Sequence, residues 1–298
     1  GAVWRSPFYR SRAVAAPSPS RPFFWLSKPV SRRQSVLSAL SIWIVFFGVW
    51  IFASATGMVN ELLVPAPQQV FATTFDLFFN RGFGSDVMIS IARVIGAFGM
   101  AIAVAVPLGV MMGSFPAIEA VFAPFVSAWR YLPAPSFIPI LLMWFGTGEA
   151  PKLALLFLGV IFFLITLIAN HTKEVRKELI ETALTLGAGR SVTLMRVILP
   201  SALPNIVIAM RQMLAVVWTY LVIAEIVAST TSIGAMIMRA RRFLKTDEHQ
   251  SGNIVIGVLG LVFDLGFAPL HRLAYPYLHK TTPGRNSAHG STGTTQRE

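Results

Sequence analysis

The 298-residue chain contains no cysteine. Disulfides, thiolate metal sites and cysteine nucleophiles are therefore excluded. Charge is scarce as well: 13% of the residues are Asp, Glu, Lys or Arg, where an ordinary soluble domain carries roughly a quarter. Acids are the scarcer sign, 13 against 25 bases. Residues 1–36 hold seven Lys/Arg and no acid at all. Histidine is sparse, with His171, His249, His271, His279 and His289 scattered along the chain. No H-E-x-x-H pattern or carboxylate pair accompanies them, so no metal centre is expected. His171 and His271 are expected at the ends of membrane spans.

What is abundant is apolar residues, 54% of the chain. Several runs approach or exceed about 18 residues, the length that reads as a membrane span. The expected fold is an all-α polytopic membrane protein with about six transmembrane helices. The spans are expected near 37–56, 87–113, 117–145, 151–169, 204–228 and 252–275. The first ends near "ASA", like a signal-peptide cleavage site, but its apolar run is longer than the typical h-region of about 7–15 residues. It reads as an uncleaved span. Residues 1–36 read as a disordered basic cytoplasmic tail and 281–298 as a disordered low-complexity tail, leaving 37–280 as the transmembrane domain.

The third span carries "YLPAPSFIPI". Pro133, Pro135 and Pro139 do not fit one straight helix. Broken backbone in lipid is tolerated where protein covers it or where it lines a cavity. The break therefore reads as bordering a pathway, or as a kink packed on a neighbour. Between the first two spans, Val70, Phe71, Phe75, Leu77 and Phe78 mark a short amphipathic helix.

Net charge is +12, yet its location speaks against nucleic acid. Basic segments beside spans are an orientation signal. By that rule the two tails and the 170–197 segment are cytoplasmic. The 229–251 loop disagrees: Arg239, Arg241, Arg242 and Lys245 fall outside by six-span counting. "MRARRFLKTDE" is expected to form a short outer helix presenting Arg239, Arg241 and Arg242. Those cations suit an acidic partner face, an incoming anion or lipid phosphates.

Four ionisable residues lie within the spans: Arg93, Arg211, Glu225 and Asp264. Such groups are costly in lipid and are usually paired or functional. Arg211 and Asp264 lie at matching depths, about 10–15 Å from the cytoplasmic ends at 1.5 Å per residue, and are expected to pair. Arg93 and Glu225 sit near the outer ends and suit a second pair; alternatively Glu225 faces a pathway. Arg211, Trp218 and Glu225 are spaced by seven and share one helix face. That face reads as a pathway wall or a dimer interface.

"ETALTLGAGRSVTLMRVILPSALP", residues 181–204, interrupts the apolar runs. Val175, Leu179, Ile180, Ala183, Leu184 and Leu186 make an amphipathic helix. Gly187 and Gly189 suit its end, because glycine takes the left-handed conformation that helix C-termini need. A second short helix follows, expected to stop at Pro200. This helix–glycine–helix reads as a rigid cytoplasmic knob for a soluble partner, or as a helix lying on lipid. "GTGEAPK" and "GAGRS" lack the spacing or the lysine of a phosphate loop, so the chain is not expected to bind ATP.

The same stretch resembles the EAA motif of ABC-importer permeases: E-A-A, a glycine after a short gap, then I-x-L-P. The matching residues are Glu181, Ala183, Gly187, Ile198, Leu199 and Pro200, with Thr182 replacing the second Ala. "SIARVIGAFGMAIAVAVPLGVMMG", "LMWFGTGEAPKLALL", "AVVWTYLVIAEIVAST" and "SIGAMIMRARRFLKTDE" are similar to segments of the nitrate/sulfonate/taurine-type subfamily. The resemblance implies a type I ABC-importer permease fold in a bacterial inner membrane. It implies that segment 174–200 is a coupling helix docking on a separate ATPase through Glu181, Thr182, Ala183, Leu184, Gly187, Leu199 and Pro200. It further implies a second copy of the chain, two cytoplasmic ATPase subunits that bind ATP and Mg, and a periplasmic or lipid-anchored solute-binding protein. This chain would be no enzyme and bind no cofactor. The solute implied is small and anionic: nitrate, a sulfonate or taurine, bicarbonate or a small organic acid. A stand-alone channel or ion-coupled carrier is the alternative.

Overall fold

The computed structural model describes residues 31–60 and 63–275. The C-terminal tail and most of the N-terminal tail expected from sequence lie outside these residues, as do His279 and His289. Among the described residues all regular structure is helical, and five helices are long and apolar enough to cross a membrane. The chain divides into two units at Met58/Val59.

The first unit contains α1, Arg32–Ala55. It begins five residues before the expected span, inside the segment read as tail. Ser31 is the reason. It forms a capping box with Gln34, satisfying the free N–H groups of the first turn. The helix is apolar all round, and Trp43, Phe46, Phe47 and Trp50 stack along it.

The second unit holds the remaining helices. α2 (Pro67–Asn80) buries Val70 and Leu77 and leaves Phe71, Phe75 and Phe79 exposed. α3 (Phe83–Ser114) packs along α6 (Ala150–Lys173), which packs on α9 (Leu199–Ala228). Small residues let these backbones approach, as membrane helix packing favours. A Cβ on Gly109 would stand 2.8 Å from Ile168, one on Gly113 2.5 Å from Thr172, and one on Gly159 2.5 Å from the Tyr220 ring.

The expected third span is divided, and so is not among the five long helices. α4 (Pro116–Arg130) ends at a turn, a 3-10 turn covers Ala134–Phe137, and α5 (Ile138–Phe145) follows. Pro133 precedes the 3-10 turn, while Pro135 and Pro139 occupy first-turn positions where a missing N–H costs nothing. Trp129 stacks on Phe137 and Phe162 at 5.5 Å, fixing the break against α6. The other side of the break is open: Tyr131, Met143 and Trp144 are exposed.

Two short helices, α7 (Lys177–Thr185) and α8 (Arg190–Thr193), precede α9. Pro200 does not stop the second of them. Leu194–Ile198 run as a π turn, and the chain continues straight into α9. A proline ring meets the carbonyl four residues back, and the widened turn just before it relieves that contact. α10 (Ile233–Arg242) ends sooner than expected, because Leu244 turns left-handed with φ 53°. Thr246 then starts α11, Thr246–Ala274. Asp247 accepts from Thr73 and Glu248 from Arg81, tying the start of α11 to α2.

Candidate functional site

Two regions collect the residues singled out from sequence. The first is the α7–α8 knob. Gly187 has φ +86°, and the chain reverses there with Ala188 N–H donating to the Ala183 carbonyl at 3.0 Å. This closes the helix in the left-handed manner that glycine permits. Thr182 donates to the Glu178 carbonyl and Thr185 to that of Glu181. The hydroxyl introduced by Thr182 is thus used within the helix and adds no unmet polar group outside. Ile180 and Leu199 pack toward the core, and Ala183 is half-buried. Leu179, Leu184, Leu186, Val192 and Met195 are exposed, as are Glu181 and Pro200. The knob therefore turns a row of leucines outward beside an acid that forms no ion pair among the described residues.

The second region is a charge network near the N-terminal ends of α3 and α6 and the C-terminal end of α9. Glu225 is fully buried. Its carboxylate accepts from Ser90 Oγ at 2.7 Å, Arg93 Nη1 at 2.7 Å and the Gly234 N–H at 2.9 Å. Ser90 Oγ in turn accepts from the Ile233 N–H. The start of α10 is thereby fastened to α3 and α9. Gly234 is required: a Cβ would stand 2.4 Å from Glu225 Cβ. Arg93 uses its other edge, donating Nε and Nη2 to the two oxygens of Glu149 at 2.5 and 2.7 Å. Lys152 also donates to Glu149, at 2.8 Å. Hydrogen bonding to Arg93, then to Lys152, holds the Glu149 carboxyl down at about 2, against opposing desolvation.

The pairs suggested by depth are both present. Arg211 makes a bidentate contact to Asp264, with both distances 2.5 Å. Those side chains are 40 and 43% exposed. The shared face of Arg211, Trp218 and Glu225 is corrected in part. Trp218 packs on Phe263, and with Glu225 it lies inside the subunit rather than on a wall or interface. Arg211 alone of the three reaches open surface. The alternative in which Glu225 faces a pathway fails for the same reason: it has no exposed atoms in this subunit.

Glu149 and Lys152 were not expected. Their segment reads in sequence as a failed phosphate loop. The i, i+3 spacing of Glu149 and Lys152 at the start of α6 fits a Glu–Lys pair, but nothing in the sequence ties that pair to Arg93. The outer cations are only partly matched. Arg239 donates to the Thr230 carbonyl and lies 3.7 Å from Asp86. Arg241 and Arg242 are exposed, and Arg241 lines a cavity of about 270 Å³ with Leu63, Leu244, Lys245 and His249. His171 pairs with Glu174 at 3.0 Å at the end of α6. The side chain of His271 lies outside the described residues. Among the described residues no cluster of His, Asp and Glu could hold a metal.

Known proteins resemble this chain in sequence and fold. A family described as "Binding-protein-dependent transport system inner membrane component" matches residues 105–276. A taurine transport system permease protein of Escherichia coli K12 is 31% identical over 254 residues, covering 84% of this chain and 92% of the relative. A putative aliphatic sulfonates transport permease of Bacillus subtilis 168 is 29% identical, covering 80 and 86%. A nitrate import permease of Synechocystis is 24% identical, covering 72 and 81%. Among solved structures, an inward-facing methionine ABC transporter superposes with TM-score 0.59 at 18% identity, covering 64% of this chain and 95% of that one. An amino acid ABC transporter superposes with TM-score 0.53. At such identity these two show the fold, that of type I ABC-importer permeases.

Proposed function

The chain belongs to the family of binding-protein-dependent transport system inner membrane components, and from that premise we propose that it carries a small anion of the taurine, sulfonate or nitrate class, driven by a separate ATPase that docks on the α7–α8 knob. The chain is a membrane permease, not an enzyme. The observation that carries the coupling is the knob itself. Its leucines, Leu179, Leu184 and Leu186, are 44, 49 and 81% exposed beside a glycine-closed turn. Such a rigid apolar edge beside Glu181 fits a cleft on a soluble partner. The taurine, sulfonate and nitrate named for the relatives support the solute class.

In this reading two copies of the chain meet two cytoplasmic ATPase subunits, which hold ATP and Mg. The knob and both tails are cytoplasmic, and a solute-binding protein delivers the anion from the other face. ATP closes the ATPases. Their movement reaches the spans through α7, the Gly187 turn and the continuous α8–α9 helix, and opens the pathway outward. Hydrolysis resets it inward. The unbroken helix through Pro200 suits this, since a stop there would leave a hinge between knob and span.

Gly187→Asp tests the coupling. A side chain at φ +86° strains the turn. The variant is expected to keep membrane insertion while its partner ATPase hydrolyses ATP without moving solute. Full coupling in that variant, measured as solute taken up per ATP hydrolysed, would count against the knob as the docking site.

A further inference from the structure

The geometry assigns a second role to the outer charge network: we propose that Arg93 and Lys152 form an oxyanion subsite, filled in this state by Glu149, which an incoming sulfonate or nitrate displaces. The proposal rests on the importer reading for its substrate class. It stands on an asymmetry of burial. The side chains of Arg93 and Lys152 are 5 and 6% exposed, whereas that of Glu149, which they share, is 57% exposed. Both cations are buried while the carboxylate they share reaches solvent, so the carboxylate sits as a plug over them.

Three features suit exchange. The Nε/Nη2 edge of Arg93 presents two parallel donors, a fork that matches any planar or tetrahedral oxyanion as well as it matches a carboxylate. The guanidinium is held independently of Glu149, because its Nη1 is bound to Glu225, itself fixed by Ser90 and Gly234. The fork therefore stays in place when Glu149 leaves. Glu149 follows Gly146-Thr147-Gly148. Gly146 has φ +71°, and neither glycine meets a neighbour within 4 Å of an added Cβ, so the loop has room to move.

Electrostatics sets the selectivity. With Glu149 in place, two cations face two carboxylates. With Glu149 swung into water, the buried group keeps one uncompensated positive charge. An anion restores neutrality; a cation or neutral solute does not. Glu149 competes as a tethered ligand with an effective concentration on the order of millimolar. Half-saturation by free anion is expected in that range, and removal of the competitor should tighten binding about tenfold.

The chain lacks cysteine, so a nitroxide on Thr147→Cys reports the loop alone. In the purified full chain in nanodiscs, sodium ethanesulfonate and sodium nitrate should raise label mobility saturably, and iso-osmolar sucrose should not. Lys152→Gln should abolish the response and Lys152→Arg restore it. Calorimetry of ethanesulfonate on Glu149→Gln should show the tighter binding. A label indifferent to both anions, or a response unchanged by Lys152→Gln, overturns the subsite, and so does Glu149→Gln binding no tighter. Should Glu149→Gln fail to fold, the label on the otherwise native chain decides alone. ATP-driven uptake of the same anions separates the two claims. Uptake with an indifferent label sinks the subsite and leaves the importer; a responsive label without uptake does the reverse.

Discussion

Glu225 is fully buried and holds three donors, and each has a cost if released. Glu225→Ala would leave the Gly234 N–H and one edge of Arg93 unpaired, a loss of about 3 kcal/mol. Gly234→Ala forces a Cβ against Glu225 and should destabilise by about 1–3 kcal/mol as overpacking. Thermal unfolding of both variants in detergent checks this; a melting point equal to wild type would contradict it. Glu149 adds a pH dependence. Its carboxyl is lowered from 4.5 to about 2. Its stabilising contribution is therefore full above pH 4.5 and lost as pH falls toward 2. More than half exposed, it contributes modestly. Glu149→Gln should lack that acid limb, and an identical acid profile would speak against the ion pair. The Arg93–Glu225 and Arg211–Asp264 pairs were legible because a lone charge in a span demands a partner at equal depth. Glu149 was not legible, because a loop residue outside the spans carries no such demand.

At the scale of elements, glycines decide how close α3, α6 and α9 lie. Gly109→Leu and Gly159→Leu should separate α6 from its neighbours and lower yield and melting temperature, whereas Gly99→Leu, which meets nothing within 4 Å, should not. Arg211 and Asp264 join α9 to α11. Reversing both charges together should restore folding lost in either single reversal, as judged by monodisperse chromatography. The apolar runs marked most spans, since each sequence run is long enough to need lipid. The helix through Pro200 was hidden because sequence shows the proline, not the π turn that accommodates it. The end of α10 was hidden too: a left-handed Leu244 has no sequence signature, unlike the glycine at 187.

At the scale of the whole molecule, the proposed function joins a multi-pass permease to an energy source on a separate protein. By the positive-inside rule the 170–197 segment is expected in the cytoplasm, although the basic 229–251 loop falls on the opposite side. Single cysteines in this cysteine-free chain test that directly: Ser191→Cys should react with an impermeant maleimide only in inverted vesicles, and Arg242→Cys only in right-side-out ones. The central claim is that movement of solute depends on ATP hydrolysed by a partner docked at Glu181–Pro200. It is tested most directly by reconstituting the chain with its ATPase and solute-binding protein in proteoliposomes and following labelled taurine or nitrate. Accumulation that needs ATP on the ATPase side, and that vanishes in Gly187→Asp while hydrolysis continues, is the predicted result. Solute flux through the chain alone, with neither ATPase nor ATP, would contradict it.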